Sequence, residues 1–239
     1  MKLHTLFDVQ SSIPVLIDIT GARTHDTHVL DRITFEPGCF IVMDRGYVDF
    51  ARLYRLQQSM AFFVLRAKHN VQFRRRVSRP VDRSTGVRSD QIIILKGRKS
   101  LKAYPVPLRR VHYFADDIDK HFVFITNNFL VSSQTIASIY KYRWQVELFF
   151  KWIKQHLRIK RFLGNSPNAV KTQIWIAISI YALIATIKKR LGLQHSLYTI
   201  LQILSTTLFE KTPVQLVFQR YDEETAITEV SNQLTLSEI

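Results

Sequence analysis

Two carboxylates in unusual company carry whatever chemistry this sequence has. Glu147 is the single acid in "YKYRWQVELFFKWIKQHL", where Tyr140, Arg143 and Lys154 surround it. Treated as one helix advancing about 100° per residue, the stretch puts Arg143, Lys154 and Glu147 at about 300°, 320° and 340° from Tyr140. Ile139, Val146, Phe150, Ile153 and Leu157 gather at about 220° to 280°, so Glu147 is expected on the rim of the buried face. A carboxylate there is held firmly and still reaches a ligand. The same spacing also makes Arg143–Glu147 and Glu147–Lys151 i,i+4 pairs, which contribute only about 0.3 to 0.5 kcal/mol on an exposed face. Asp44 closes the apolar run "CFIVM", which reads as a buried strand, so it falls at the strand edge where α/β sheets place ligand sites. Capping the next helix is its other reading. Two or three such carboxylates hold a pair of Mg²⁺ or Mn²⁺ ions about 3.5 to 4 Å apart, the arrangement that serves in-line phosphodiester displacement. Arg143 and Lys154 would then bind phosphate beside the metals.

For the two acids to act together, a strand ending at Asp44 must meet the helix through Glu147. The N-terminus reads as a hairpin of Leu3 to Val9 with Pro14 to Thr20, after which Asp26 is placed to cap a short helix. The strand Cys39 to Met43, helical spacing of Phe50, Leu53, Tyr54 and Leu56, and the buried strand "AFFVLRAK" follow. A strand, helix, strand order implies parallel neighbours in an α/β sheet. From about residue 68 to 126 short β-like runs alternate with Gly, Pro, Ser and Arg, a β-rich insertion; helical patterns then run to about Phe209.

With 34 Lys and Arg against 19 Asp and Glu, the chain of 239 residues carries a formal charge of +15 and favours a polyanionic partner, nucleic acid before anionic membrane. Between Arg66 and Arg110 there are 14 cations and two acids, whereas Tyr221 to Ile239 holds four Glu, one Asp and no cation. A single cysteine, Cys39, leaves no internal disulfide or cysteine-based zinc site and fits an intracellular setting. The most apolar run, Ile174 to Ile187, has 14 residues and reads as a buried core helix rather than a span of about 20.

Tyr140, Arg143, Glu147 and Lys154 match Y-x2-R-x3-E-x6-K without a gap, and "VMDRGYVDF" resembles a strand-ending acid motif with Gly two residues on. Together with "KLHTLFD", "TGARTHD" and "FITNNF", they make the chain similar to bacterial insertion-sequence transposases of the DDE superfamily that bear the YREK signature, the fourth family of insertion sequences. The resemblance implies an RNase H-like α/β fold with a β-rich basic insertion and a helical C-terminal region: catalytic domain over 1–67 and 127–210, insertion over 68–126, acidic tail over 211–239. It implies Asp44 and Glu147 as second and third acids and metal ligands, and Tyr140, Arg143 and Lys154 on phosphates near the cut. Trp144 would pack on DNA sugars or an unstacked base, and Arg74, Arg75 and Arg76 would grip the backbone. Metal-dependent cleavage and strand transfer, transposon ends and target DNA as partners, a homodimer in a synaptic complex, no membrane association, and a bacterial, nucleoid-associated cytoplasmic location follow from the same resemblance. The family's first acid ends a strand upstream of "KLHT", a strand not found here. Asp8 in the hairpin turn and Asp18 inside the second strand are poor substitutes, so the chain is expected to be inactive alone; the alternative is a non-catalytic DNA-binding or inhibitory fragment.

Overall fold

Strand β1 (Lys2–Asp8) and strand β2 (Ile13–Thr20) form a two-stranded hairpin sheet. The structure, a computed structural model, describes residues 1–157, 162–207 and 209–223. At the hairpin turn Asp8 accepts the amides of Gln10 at 3.0 Å and Ser11 at 3.2 Å, and Asp18 on β2 takes Arg32 at 2.7 Å. Both acids are thus committed to local structure. The expected cap at Asp26 is corrected: His25 caps the short 3-10 helix Asp26–Arg32 by accepting from Thr27, while Asp26 pairs with Lys2 at 3.1 Å.

The main sheet has six strands in the order β3-β4-β8-β7-β6-β5. These are β3 (Phe40–Met43), β4 (Phe62–Arg66), β5 (Phe73–Arg79), β6 (Val87–Leu95), β7 (Leu108–Ala115) and β8 (Lys120–Thr126). As the strand, helix, strand order requires, β3 and β4 are parallel, joined through α1 (Phe50–Gln58); every other neighbour is antiparallel. β4 pairs directly with β8, so the β-rich stretch extends the same sheet. Strand β3 was expected to be buried, yet only Met43 is, because β3 lies at the sheet edge.

Alternation along the strands gives the sheet two distinct faces. One buries Val64, Val111 and Phe124 under Ile136, Ala137 and Tyr140 of α3 (Ser133–Lys141). The other buries Phe63, Leu65, Ile93 and Ile125 against Leu53 and Leu56 of α1 and Tyr104, which follows α2 (Arg98–Ala103). Asn127 closes the sheet, accepting Phe63 N at 2.9 Å and donating to Ala61 O at 2.9 Å.

Helix α4 (Trp144–His156) is followed by α5 (Pro167–Leu191), α6 (Leu197–Thr207) and a helical segment over 214–223. The chain divides into two units, Met1–Leu6 with Leu16–Leu148, and Phe7–Val15 with the residues from Phe149 onward. In the second unit Ile184, Ile200, Ile203, Val217 and Phe218 form the core, and Tyr181 donates to Ser12 O at 3.2 Å. Helix α5 departs from the expected buried core helix. It is 25 residues long, enough by length and composition to cross a membrane, and Trp175, Ile176 and Leu183 are exposed while Ala177, Ile178, Tyr181 and Ile184 are buried. Of the acidic tail only the part up to residue 223 lies within the described residues, where Asp222 meets His195 at 2.7 Å.

A buried ion pair joins the sheet to the helices. Arg109 on β7 donates Nε and Nη2 to the two oxygens of Asp90 on β6, at 3.0 and 2.7 Å, and Nη1 to the carbonyls of Asn128 and Val131, at 3.2 and 2.6 Å. Replacing Arg109 by Met leaves Asp90 buried without its partner and is expected to cost about 3 to 5 kcal/mol in denaturant titration. The double replacement of Asp90 and Arg109 by apolar residues of similar volume is expected to cost clearly less.

Candidate active site

Asp44 follows the last residue of β3, and its Oδ1 accepts the Arg45 amide at 2.7 Å, capping the short 3-10 turn Arg45–Tyr47. Its capping reading is therefore realised, but on this turn; Asp49 caps α1. Tyr140, 7% exposed on the face of α3 that meets the sheet, donates its hydroxyl toward the same Oδ1 at 3.5 Å. The ring of Tyr140 lies 5.7 Å from the Arg143 guanidinium, and Arg143 donates to Glu147 Oε1 at 2.6 Å. A continuous relay of Asp44, Tyr140, Arg143 and Glu147 thus links the strand end to the start of α4.

The single helix expected through Tyr140 and Glu147 is two. α3 ends at Lys141 and α4 begins at Trp144, and the junction is made by three-residue bonds: Tyr142 N to Ile139 O, Arg143 N to Tyr140 O, Gln145 N to Tyr142 O and Val146 N to Arg143 O. Such a tightened turn advances faster per residue than an α-helix, so a uniform 100° spacing does not hold across it. Glu147 falls in the first turn of α4 with its side chain 43% exposed, and Arg143 at the junction is 25% exposed. Buried positions on α4 are Phe149 and Ile153; Val146 and Phe150 are half-buried.

Burial pushes the Tyr140 phenol up to about 12, Asp44 adding to the shift while Arg143 and Arg66 oppose it. For Arg143 burial works against the charge, but the bond to Glu147 and the neighbouring Tyr140, Glu147 and Asp44 more than offset it, holding the guanidinium above its usual range. The Nε of Arg143 is buried without a hydrogen-bond partner. Beside the relay opens a cleft of about 640 Å³ lined by Arg66, Phe122, Phe124, Tyr140, Arg143 and Trp144. Trp144 is 57% exposed.

Two groups of expected residues are not drawn in. Lys154 is exposed about two turns further along α4. Arg74, Arg75 and Arg76 lie on β5, at the edge of the sheet opposite β3, and a register shift between Arg75 and Val77 interrupts the strand there. All three are exposed. Sequence reasoning missed Arg66, whose guanidinium sits 5.1 Å from the Phe122 ring at the end of β4. The available signal was a cation closing the strand parallel to the one that ends at Asp44.

Asp44 and Glu147 offer hard oxygen donors, the chemistry suited to Mg²⁺ or Mn²⁺. No hydrogen bond among the described residues engages Asp44 Oδ2 or Glu147 Oε2, so each keeps an oxygen for a ligand. Among the described residues there is no group of three or more His, Cys, Asp or Glu able to hold a metal ion.

The site thus comprises a carboxylate at the end of a parallel strand of a mixed sheet and a second one at the start of a helix on the same unit. Comparison gives the family: residues 1–183 match the model of the transposase DDE domain, and the chain belongs to that family. It is 33% identical over 218 residues to a putative transposase of Sinorhizobium fredii, covering 90% of this chain and 61% of that protein. A probable insertion-sequence transposase of Geobacillus stearothermophilus is 33% identical over 187 residues, covering 77% of this chain and 48% of the relative. A putative insertion-sequence transposase of Synechocystis is 31% identical over 195 residues, 52% of its length.

The raised Tyr140 sets a pH dependence. An unfolded tyrosine releases its proton near pH 10.0, whereas folded Tyr140 keeps it to about 12, so unfolding releases a proton in that window and stability falls as pH rises through it. Tyr140→Phe removes this contribution while retaining the ring. In denaturant titrations the wild type is expected to lose more stability than Tyr140→Phe on going from below to above this window; parallel curves would exclude a buried, neutral Tyr140.

Proposed function

We propose that this chain contributes the second and third carboxylates, Asp44 and Glu147, to a metal-dependent site that cleaves DNA and transfers strands of an insertion sequence. The observation that carries this reading is the relay from Asp44 through Tyr140 and Arg143 to Glu147. Asp44 and Glu147 would hold Mg²⁺ or Mn²⁺, which when bound supplies Lewis-acid stabilisation of phosphate oxygens in an in-line displacement. Arg143 shares Glu147 with no other cation among the described residues, so rotating onto a phosphate frees the carboxylate for its ligand role. Tyr140 orients Asp44, and Arg143, with Lys154 further along, takes the negative charge of the backbone. Trp144, exposed at the cleft mouth, packs on a sugar or an unstacked base. Arg74, Arg75 and Arg76 take backbone phosphates from the edge of the basic insertion.

In this reading residues 1–67 and 127–210 belong to the catalytic domain, 68–126 to the insertion and 211–239 to a tail. The working assembly is a homodimer on transposon ends and target DNA, in the nucleoid of a bacterial cytoplasm, without membrane association. The chain spans 61%, 48% and 52% of the lengths of the three relatives it matches. Among the described residues no third carboxylate joins these two, which supports a chain that binds DNA but does not cut it alone. The same observation favours a second reading, a non-catalytic fragment that pairs with a longer transposase and inhibits it.

Mn²⁺ binding followed by electron paramagnetic resonance separates the two. On the metal-site reading, Asp44→Asn and Glu147→Gln each weaken Mn²⁺ binding about tenfold or more, with circular dichroism unchanged. Wild-type binding in both variants would favour the inhibitory fragment. Joining of element ends by the purified chain with Mg²⁺ would show that the two carboxylates suffice.

A further inference from the structure

The face of the sheet opposite Tyr140 holds a second cationic site that the proposed chemistry does not use. Along β8, Lys120, Phe122 and Phe124 line the cleft at Tyr140, whereas His121, Val123 and Ile125 line a separate cleft of about 240 Å³ on the other face. Its polar lining is Arg45, Arg66, Lys68, His69, Arg110 and His121, with no carboxylate. Among the described residues none of Arg45, Arg66, Lys68 and Arg110 forms an ion pair. By contrast, Arg109, Arg143, Arg52 and Arg55 are matched with Asp90, Glu147 and Asp31.

Arg110 is also held in place. It sits 5.1 Å from the Phe73 ring and donates to Gln91 at 3.3 Å, and burial depresses its basicity. Next to it His112 Nε2 meets His121 Nδ1 at 3.1 Å, His121 stacks on Phe114 at 4.6 Å, and Arg88 covers Phe114 at 5.1 Å. Burial first, then His121, Arg110 and Arg88, hold the His112 imidazole below its usual range. A cluster of like charge without counter-ions is stabilised by an anion of several charges, since each neutralised cation also releases a screening ion. Arg66 lines both clefts, so the two adjoin at the end of β4.

We infer that this cleft is a nucleic-acid backbone site, taking consecutive phosphodiester groups of a DNA strand that crosses the end of β4 from the Asp44 side. It rests on the DNA-acting reading above but needs neither carboxylate nor metal. The groups facing the two histidines are Arg88 on β6, Arg110 on β7, and Lys68 and His69 after β4. A phosphate beside this pair favours the protonated form of His112, whose imidazole is otherwise held below its usual range, so binding takes up a proton and tightens as pH falls.

The test measures binding of a short fluorescein-labelled DNA duplex to the full chain by anisotropy, in chelator, across salt concentrations. The Asp44→Asn/Glu147→Gln background is used throughout, so failure of the metal site leaves the result untouched. Lys68→Gln/Arg110→Gln is expected to weaken binding about tenfold and to flatten the plot of log affinity against log salt by about one to two phosphate contacts. Lys68→Gln alone, which leaves the Phe73 stack intact, is expected to flatten it by about one contact with an unchanged circular dichroism melt. His112→Gln/His121→Gln is expected to abolish most of the pH dependence, and Lys211→Gln, outside the cleft, to change neither slope nor affinity. Unaltered slope and pH dependence in the Lys68 and histidine variants would overturn the inference. So would inorganic phosphate or a mononucleotide displacing the duplex at equal phosphate concentration, which would mark a small-anion pocket instead.

Discussion

The guanidinium of Arg109 ties together the parts on which the candidate site stands. All three of its nitrogens donate: two to Asp90 across the β6–β7 ladder, the third to the carbonyls of Asn128 and Val131. Burying an ion pair is costly unless the remaining donors and acceptors are satisfied, and here both Asp90 oxygens are used. The carbonyl bonds hold the loop after β8, where Asn128 Oδ1 takes the amides of Leu130 and Val131 and Ser132 caps α3 through Thr135. Once α3 starts at that place and angle, Tyr140 is delivered to Asp44. The distance between a strand end and a helix end is thereby set by a charge pair that touches neither.

Positive charge around the sheet is used in two ways. Some cations are matched: Arg109 with Asp90, Arg143 with Glu147, Lys141 with Asp117 at 3.7 Å. Such pairs position groups and set which oxygen points where. Others, Arg110 and Arg88, lie on aromatic rings, which hold a guanidinium in place without neutralising it. A formal charge summed over the β-rich stretch hides this division, because it counts a fully buried Arg109 equally with an exposed Lys96.

How much of this is legible in the sequence depends on how local each cause is. The strand ending at Asp44, its parallel partner and the intervening helix are readable because apolar runs and the spacing of Leu53 and Leu56 reflect burial directly. Strand β5 is not, because "FRRRVSR" lies at a hydrated edge and keeps apolar side chains only at Phe73 and Val77. The joint between α3 and α4 escapes notice since no Gly or Pro marks it; bonds from i to i−3 tighten a turn without any compositional trace. Of the candidate site, Asp44, Tyr140, Arg143 and Glu147 are brought together; Glu147 and Lys154 share α4, and only the angle of Lys154 to Tyr140 depends on the joint. The pairing of Asp90 with Arg109 arises only from strand register, and in sequence both look like ordinary surface charges.

Asn127 shows how narrow a chemical requirement can be when a side chain stands in for a strand. Its amide accepts from Phe63 and donates to Ala61, two backbone groups at the start of β4 that would otherwise be buried without partners. Aspartate has nearly the same shape but offers only acceptors when ionised, so at Ala61 it would set oxygen against oxygen. A change of one atom, nitrogen to oxygen, would therefore turn a clasp into a wedge at the end of β4 away from Asp44.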